Sequence, residues 1–357
     1  MNKLIEKAYK EEKFNIEEII ELLSFGDEDT QELFDSADYI RRKYVGDEIH
    51  LRGLIEFSNF CERNCYYCGL RKDNKKLSRY RLTPQEIINY SVKCEELGYR
   101  TVVLQSGEDS YYTVEILSNI IKEIKQKTNL AVTLCVGERN KYEYERLFDA
   151  GADRYLLKFE TSDPVLYYKL HPDLLYENRR NKILELKEIG YQIGSGIIVG
   201  LPGQTINSIA QDIIWFDELE LDMIAIGPYV HHPETPLENI KFKDLSLVLK
   251  IIAITRIMTK DTLIPATTAI STLDIFNGRR RALEVGANVI MPNVIPPHLR
   301  EKYQIYPKNK ILLQEPESQK KEIETMITYI GRMIAKSRGD SYKRYPLYKN
   351  MIPQEVS

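Results

Sequence analysis

Cysteine is scarce in this chain, five residues in 357, too few for the disulfide framework that holds small secreted domains together. Long apolar runs are missing as well: no stretch approaches the roughly eighteen residues of a membrane span. The segment from Met1 to Phe14 is charged throughout, with no apolar core of the kind that directs secretion. These absences give the expectation of a cytoplasmic protein with no membrane partner. Charge of one sign is also lacking, since Lys and Arg are scattered among Asp and Glu with a net charge of -3. No nucleic acid is therefore an expected partner, and a small molecule or another protein is. There is no linker rich in Gly, Ser or Pro, no solenoid repeat and no low-complexity tract.

What is present is a regular alternation. From about residue 50 onward, short β-rich runs alternate with amphipathic helical stretches, the pattern of βα units around a parallel sheet. The runs are Leu51 to Phe57, Thr101 to Gln105, Ala131 to Val136, Arg154 to Phe159, Gln192 to Val199, Met223 to Gly227, Leu263 to Thr267 and Asn288 to Met291. Thr83-Pro84-Gln85-Glu86 reads as an N-cap, an N1 proline and an acidic first turn, and Gly98 closes the same helix. Gly151, Gly190 and Gly286 repeat that closure. The fold expected is α/β, a (β/α)8 TIM-type barrel over residues 47–308. An N-terminal helical extension, 1–46, is expected to cap its bottom. A C-terminal extension, 309–357, follows, with a last helix over Ile323 to Ala335 and then a polar tail.

Three of the cysteines fall together as Cys61-x-x-x-Cys65-x-x-Cys68, directly after the first predicted strand, where the C-terminal face of a parallel barrel gathers its functional loops. Three thiolates on one short loop can each bind one iron of a cubane, and the missing fourth ligand leaves the last iron open to a substrate. Incidental buried thiols, or half of a zinc site on Cys65 and Cys68, are the competing readings. A zinc site needs a further strong ligand, and Cys94 and Cys135 have no paired spacing.

Other strand ends carry polar groups. Gln105-Ser106-Gly107-Glu108 closes the second strand with a turn able to present backbone groups and a carboxylate to an ammonium. Lys158-Phe159-Glu160-Thr161 closes the fourth, and Arg179 follows in the next helix, so a carboxylate and a guanidinium can converge on a zwitterion. The glycines of Gly194 to Gly203 either let a flat ring approach the backbone or relieve crowding at a barrel turn. His50, His171, His231 and His232 show no ligand pairing and read as strand-start, turn or surface residues.

The cysteine spacing resembles that of the radical S-adenosylmethionine (SAM) superfamily. Glu56 to Cys61 and Cys68 to Asn74 are similar to the radical SAM maturases of iron-iron hydrogenases. Leu104 to Asp109, Gly151 to Leu157, Val199 to Thr205 and Pro265 to Ala269 resemble segments of that family in the same order, and the resemblance runs from about residue 15 to 308. It implies one 4Fe-4S cluster on Cys61, Cys65 and Cys68 with SAM on the open iron, yielding a 5′-deoxyadenosyl radical. It implies that Tyr67 lies beside the adenine and that Gln105, Glu160 and Arg179 hold SAM. Arg154, Thr267, Thr268, Tyr303 and Tyr306 become candidates for lining the substrate cavity. The implied substrate is an organometallic small molecule, an iron carbonyl-cyanide cysteine complex. The implied partners are a tyrosine-cleaving radical SAM maturase and a GTPase scaffold. Cys135 stands where the family often has serine, a cofactor-side position at which a thiol is either silent or reactive. Some members carry three further cysteines for an accessory cluster. Here none follows Cys135, so one cluster is expected. Methylornithine synthase, biotin-synthase-like sulfur insertion and a non-catalytic iron-sulfur carrier are the alternatives.

Overall fold

In the computed structural model, which describes residues 2–307, 309 and 313–343, the β-rich runs form parallel strands. These are β1 (Glu48–Leu51), β2 (Gly53–Ser58), β3 (Thr101–Ser106), β4 (Ala131–Cys135), β5 (Arg154–Leu156), β6 (Gln192–Val199), β7 (Met223–Pro228), β8 (Val289–Ile290) and β9 (Met333–Ile334). Strands β2 to β7 pair in sequence order as one six-stranded sheet. Closure runs through single bridges, Met223 to Leu263 and Pro265 to Val289, and then through β8 on β1 and Leu54 on Asn293. The expected strand over Leu263 to Thr267 is thus reduced to bridges. Pro265 has no N–H to give to a ladder, which explains why regular pairing stops there. The first expected strand is divided at Arg52, whose side chain turns down to the barrel floor.

Helix Pro84–Glu96 begins as its sequence indicated, with Thr83 and Glu86 forming a reciprocal capping box. Side chains from the strands and the surrounding helices merge into one large apolar core. No helix among the described residues is long and apolar enough to cross a membrane.

Two expectations about the ends of the chain are corrected. The N-terminal helices Ile16–Leu23 and Asp27–Val45 pack chiefly on the outer helices Ile206–Glu218 and Leu245–Thr259, and only the end of the second, at Tyr44 and Val45, reaches the barrel floor. The cause lies in the second of these, in which every residue from Val248 to Thr259 is buried. A helix that is apolar nearly all round needs cover on the face away from the barrel. Lys250, on that helix, donates to the carbonyls of Leu23 and Phe25. The bottom is closed mainly by residues 335–343. The last helix runs over Pro316–Tyr329, earlier than expected, and Gly331 turns the chain into β9, which pairs with β1. The end of the expected polar tail, 344–357, lies outside the described residues.

Asp212 ties helix Ile206–Glu218 to the upper rim. It is fully buried and accepts the Ser162 backbone N–H at 2.5 Å. Burial pushes its carboxyl up to about 7 although the Ser162 hydrogen bond pulls it down. A folded-state pKa above the unfolded value means that the folded chain keeps a proton the unfolded chain releases. Asp212 therefore costs nothing below about pH 4 and destabilises progressively as the pH rises towards 7. Asp212→Asn keeps the acceptor and cannot ionise. It is expected to leave Tm unchanged near pH 4 and to stabilise at pH 8 by on the order of 2 kcal/mol. Thermal melts at the two pH values check this, and equal shifts at both would refute it.

Candidate active site

The loop after β2 is folded by its own polar groups. Arg79 donates to the carbonyls of Asn59, Leu70, Arg71 and Asn74, gathering both ends of the loop around one guanidinium. Asn59 reaches Ser78 O at 2.8 Å and Lys302 O at 2.7 Å, and the Gly69 N–H reaches Ile305 O at 2.7 Å. Asp109 accepts from Ser58 at 2.6 Å and takes a two-pronged contact from Arg81 at 2.8 and 2.9 Å. Gly107 is required by proximity, because a Cβ there would stand 2.2 Å from Phe60 O and 2.7 Å from Cys61 Cβ.

Cys61, Cys65 and Cys68 all face one cavity of about 420 Å³ at the C-terminal ends of the strands, and none is in a disulfide. Burial pushes all three thiols up, Cys68 to about 12, and the neighbouring sulfurs add to the rise at Cys65 and Cys68. Thiols in such a place shed their protons to a bound cation rather than to water. Among the described residues no three His, Cys, Asp or Glu side chains gather tightly enough for a single ion. A cubane needs no such convergence, since each thiolate takes its own iron. The donor set therefore fits a three-cysteine cluster better than a zinc site.

Tyr67, Gln105, Cys135, Glu160 and Arg179 line the same cavity. Gln105 donates to the Tyr303 hydroxyl at 3.3 Å and sits opposite Cys135 across the β3–β4 pairing. Glu160 adopts φ 65, uncommon for a residue with a side chain, and bridges to Ile197. Its carboxylate pairs with Lys158 at 2.8 Å. Arg179 pairs with Glu138 at 2.7 Å and donates to Lys158 O at 2.9 Å. Arg63 pairs with Glu108 at 2.6 Å. Burial holds the Cys135 thiol up at about 12, which keeps it protonated and supports the silent reading.

Thr267, Thr268, Tyr303 and Tyr306 line the cavity too, Tyr303 within hydrogen-bond reach of Gln105. Arg154 does not, and its expected place there is corrected. It sits at the lower end of β5, donating to Gln192 at 3.1 Å and Thr101 at 3.0 Å and pairing with Asp340 at 2.6 Å. Position on the strand decides this, since the first residue of a barrel strand points to the floor and the residues after the last point to the mouth. Gly194 and Gly196 are explained by crowding, a Cβ on Gly196 standing 2.0 Å from Ala225 O.

Sequence reasoning gave no role to His171, which is buried, as are His232 and His50, the last within β1. Burial lowers the His171 imidazole to about 4, so it is neutral at pH 7. Its Nδ1 lies 2.8 Å from the Tyr167 carbonyl, which only accepts, so Nδ1 carries the proton. Nε2 then accepts from the Tyr67 hydroxyl at 2.7 Å, fixing that ring beside the cysteines. The spacing of Tyr167 and His171, one helical turn, was the available signal. Glu56, within the segment that carries the resemblance but given no role there, also lines the cavity, as do Arg279, Arg300 and Glu322, which carried no motif.

A barrel with three free thiols at its mouth and paired carboxylate and guanidinium groups beside them defines a radical SAM enzyme, and residues 55–216 match the radical SAM superfamily. The chain is 49% identical over 330 residues to the FeFe hydrogenase maturase subunit HydE of Thermotoga maritima, covering 92% of this chain and 94% of that protein. It is 29% identical to a 3-methylornithine synthase of Methanosarcina acetivorans, over 74% of this chain and 75% of that one. The crystal structure of methylornithine synthase PylB superposes with a TM-score of 0.82 at 26% identity, over 93% of this chain and 97% of that chain. The chain belongs to the HydE family of hydrogenase maturases.

Proposed function

We propose that this radical SAM maturase acts in assembly of the di-iron subcluster of FeFe hydrogenase, on an iron carbonyl-cyanide complex of cysteine. The carrying observation is that cluster cysteines, SAM-side groups and the hydroxyl-bearing side chains Thr267, Thr268, Tyr303 and Tyr306 share one cavity. A 4Fe-4S cluster with SAM bound supplies one-electron cleavage to a 5′-deoxyadenosyl radical.

The chain's own residues do the rest. Cys61, Cys65 and Cys68 hold iron and leave one site open. Glu160 and Gln105 take the ammonium of SAM and Arg179 its carboxylate, each already oriented by a partner. Tyr67, steadied by His171, forms the wall for the adenine. Leu54, Leu156, Ile198, Ala225 and Met291 make the cavity wall apolar, which keeps water and abstractable polar hydrogens from the radical. Thr267, Thr268, Tyr303 and Tyr306 face the substrate. The proposed partners are the tyrosine-cleaving maturase HydG, as supplier of the complex, and the GTPase scaffold HydF, as acceptor, in the cytoplasm. The 3-methylornithine synthase reading is disfavoured by the lower identity, 29% against 49%.

The test is anaerobic reconstitution, reduction and electron paramagnetic resonance with and without SAM, followed by addition of the iron-cysteine complex. A 4Fe-4S signal shifted by SAM, with 5′-deoxyadenosine formed faster when the complex is present, is the expected result. A SAM-sensitive cluster whose turnover responds to lysine and ignores the complex would overturn the substrate.

A further inference from the structure

Most charged side chains around the cavity have a charged or polar partner. On the cluster side, Arg63, Lys158 and Arg179 each have an acid partner. Elsewhere on the wall, Glu56 accepts from Asn293 at 2.8 Å, Arg300 donates to Gln314 O at 2.6 Å, and Glu322 accepts from Gln314 at 2.6 Å. Arg279 lines the same cavity, and its guanidinium makes no hydrogen bond or ion pair with any described residue. Its Nε is wholly shielded from solvent. Glu322 is the acid nearest to it in effect and forms no pair with it.

A shielded cation with no partner is costly, and such a group persists where a ligand completes it. The backbone that carries it is fixed. Gly278, one residue before, donates to Asp274 O at 3.0 Å, and a Cβ on it would stand 2.8 Å from Ile270 O. Arg279, the second residue of helix Gly278–Glu284, therefore leaves a pinned backbone position to line the cavity.

The geometry points to Arg279 as the binding group for the substrate's free carboxylate, which it takes in a two-pronged contact. This rests on the amino-acid-derived substrate proposed above. A guanidinium presents parallel N–H groups that match a carboxylate, and carbonyl and cyanide ligands offer no such face. Holding the carboxylate on Arg279 fixes the orientation of the sulfur and iron of the complex within the cavity where the radical forms. Arg279 would then set specificity for an iron-bound amino acid over an iron-bound simple thiol.

The test compares two ligands on the reconstituted, SAM-loaded enzyme: the iron carbonyl-cyanide complex of L-cysteine, and that of cysteamine, which lacks only the carboxylate. Equilibrium dialysis with radiolabelled iron in the complex reads binding without turnover. The parent enzyme is expected to prefer the cysteine complex by roughly ten- to hundredfold. R279Q is expected to erase that preference while holding the cysteamine complex as the parent does. R279K, which keeps the charge and loses the planar fork, is expected to restore part of it, and carries the test should R279Q fail to fold by circular dichroism. A preference that survives in R279Q, or no preference in the parent, overturns the role of Arg279 and leaves the substrate standing. Failure of the parent to bind either complex overturns the substrate, and this inference with it.

Discussion

Cys65→Ala is expected to reduce reductive cleavage of SAM to the uncatalysed background while the barrel stays folded. Cys65 lies in the middle of the loop clamped by Arg79, and its thiol is pushed well above the usual range by burial and by the sulfurs of Cys68 and Cys61. Removing it leaves two thiolates for a cubane that needs three ligands to keep a single iron open. The loop itself is held by Arg79, Asn59 and Asp109, none of which is among the assigned cluster ligands, so the fold should not follow the cluster. Iron and sulfide content after reconstitution, the resonance signal with SAM and the yield of 5′-deoxyadenosine check this. Normal cleavage in the variant would overturn the cluster assignment, and a chain that melts many degrees lower would overturn the independence of loop and cluster.

The other large effect is expected at the opposite end of the barrel. Arg154 is 4% exposed and Asp340 12%, and their ion pair is joined by Gln192 at 2.8 Å and by the carbonyl of Arg338 at 3.0 Å. Arg52 stands beside them and donates to Gly339 O at 2.9 Å. Burial raises the Asp340 carboxyl, Arg154 lowers it, and the balance leaves it below its usual value. Asp340→Ala would leave two buried guanidiniums without that charge, at a cost of about 3 kcal/mol. Arg154→Met with Asp340→Leu removes both charges together and is expected to recover most of the loss. Thermal melts of the single and double variants read the coupling. Were Arg154 a substrate residue, its replacement would slow turnover and leave Tm alone, so the pair of measurements separates the two roles.

The barrel and its cluster loop were legible because their signals are local. Strand and helix periods, the capping box at Thr83 and Glu86, and the cysteine spacing each lie within a few residues of one another. What escaped is built from distant parts. Asp340 meets Arg154 across 186 positions of sequence, and nothing near either residue announces the other. Arg154 was misplaced because a charged residue in a strand of a resembling segment says nothing about which end of the barrel it faces. Arg279 sits in a short helix of ordinary composition, and its significance appears only once the other charges around it are seen to be satisfied. The N-terminal helices were assigned correctly as helices, but only Tyr44 and Val45 reach the floor, since the destination of the rest was set by the apolar back of another helix two hundred residues away.

The stitching of the cysteine loop to Lys302 and Ile305 has a consequence for the order in which the enzyme is made. The loop leaves the ribosome early, while the carbonyls that hold Asn59 and Gly69 are synthesised some 240 residues later. The three thiols emerge long before their final spacing exists. Metal loading on the nascent chain would meet a loop held by Arg79 but lacking its anchors at Lys302 and Ile305, so the finished cluster belongs to a step after those carbonyls have joined the barrel.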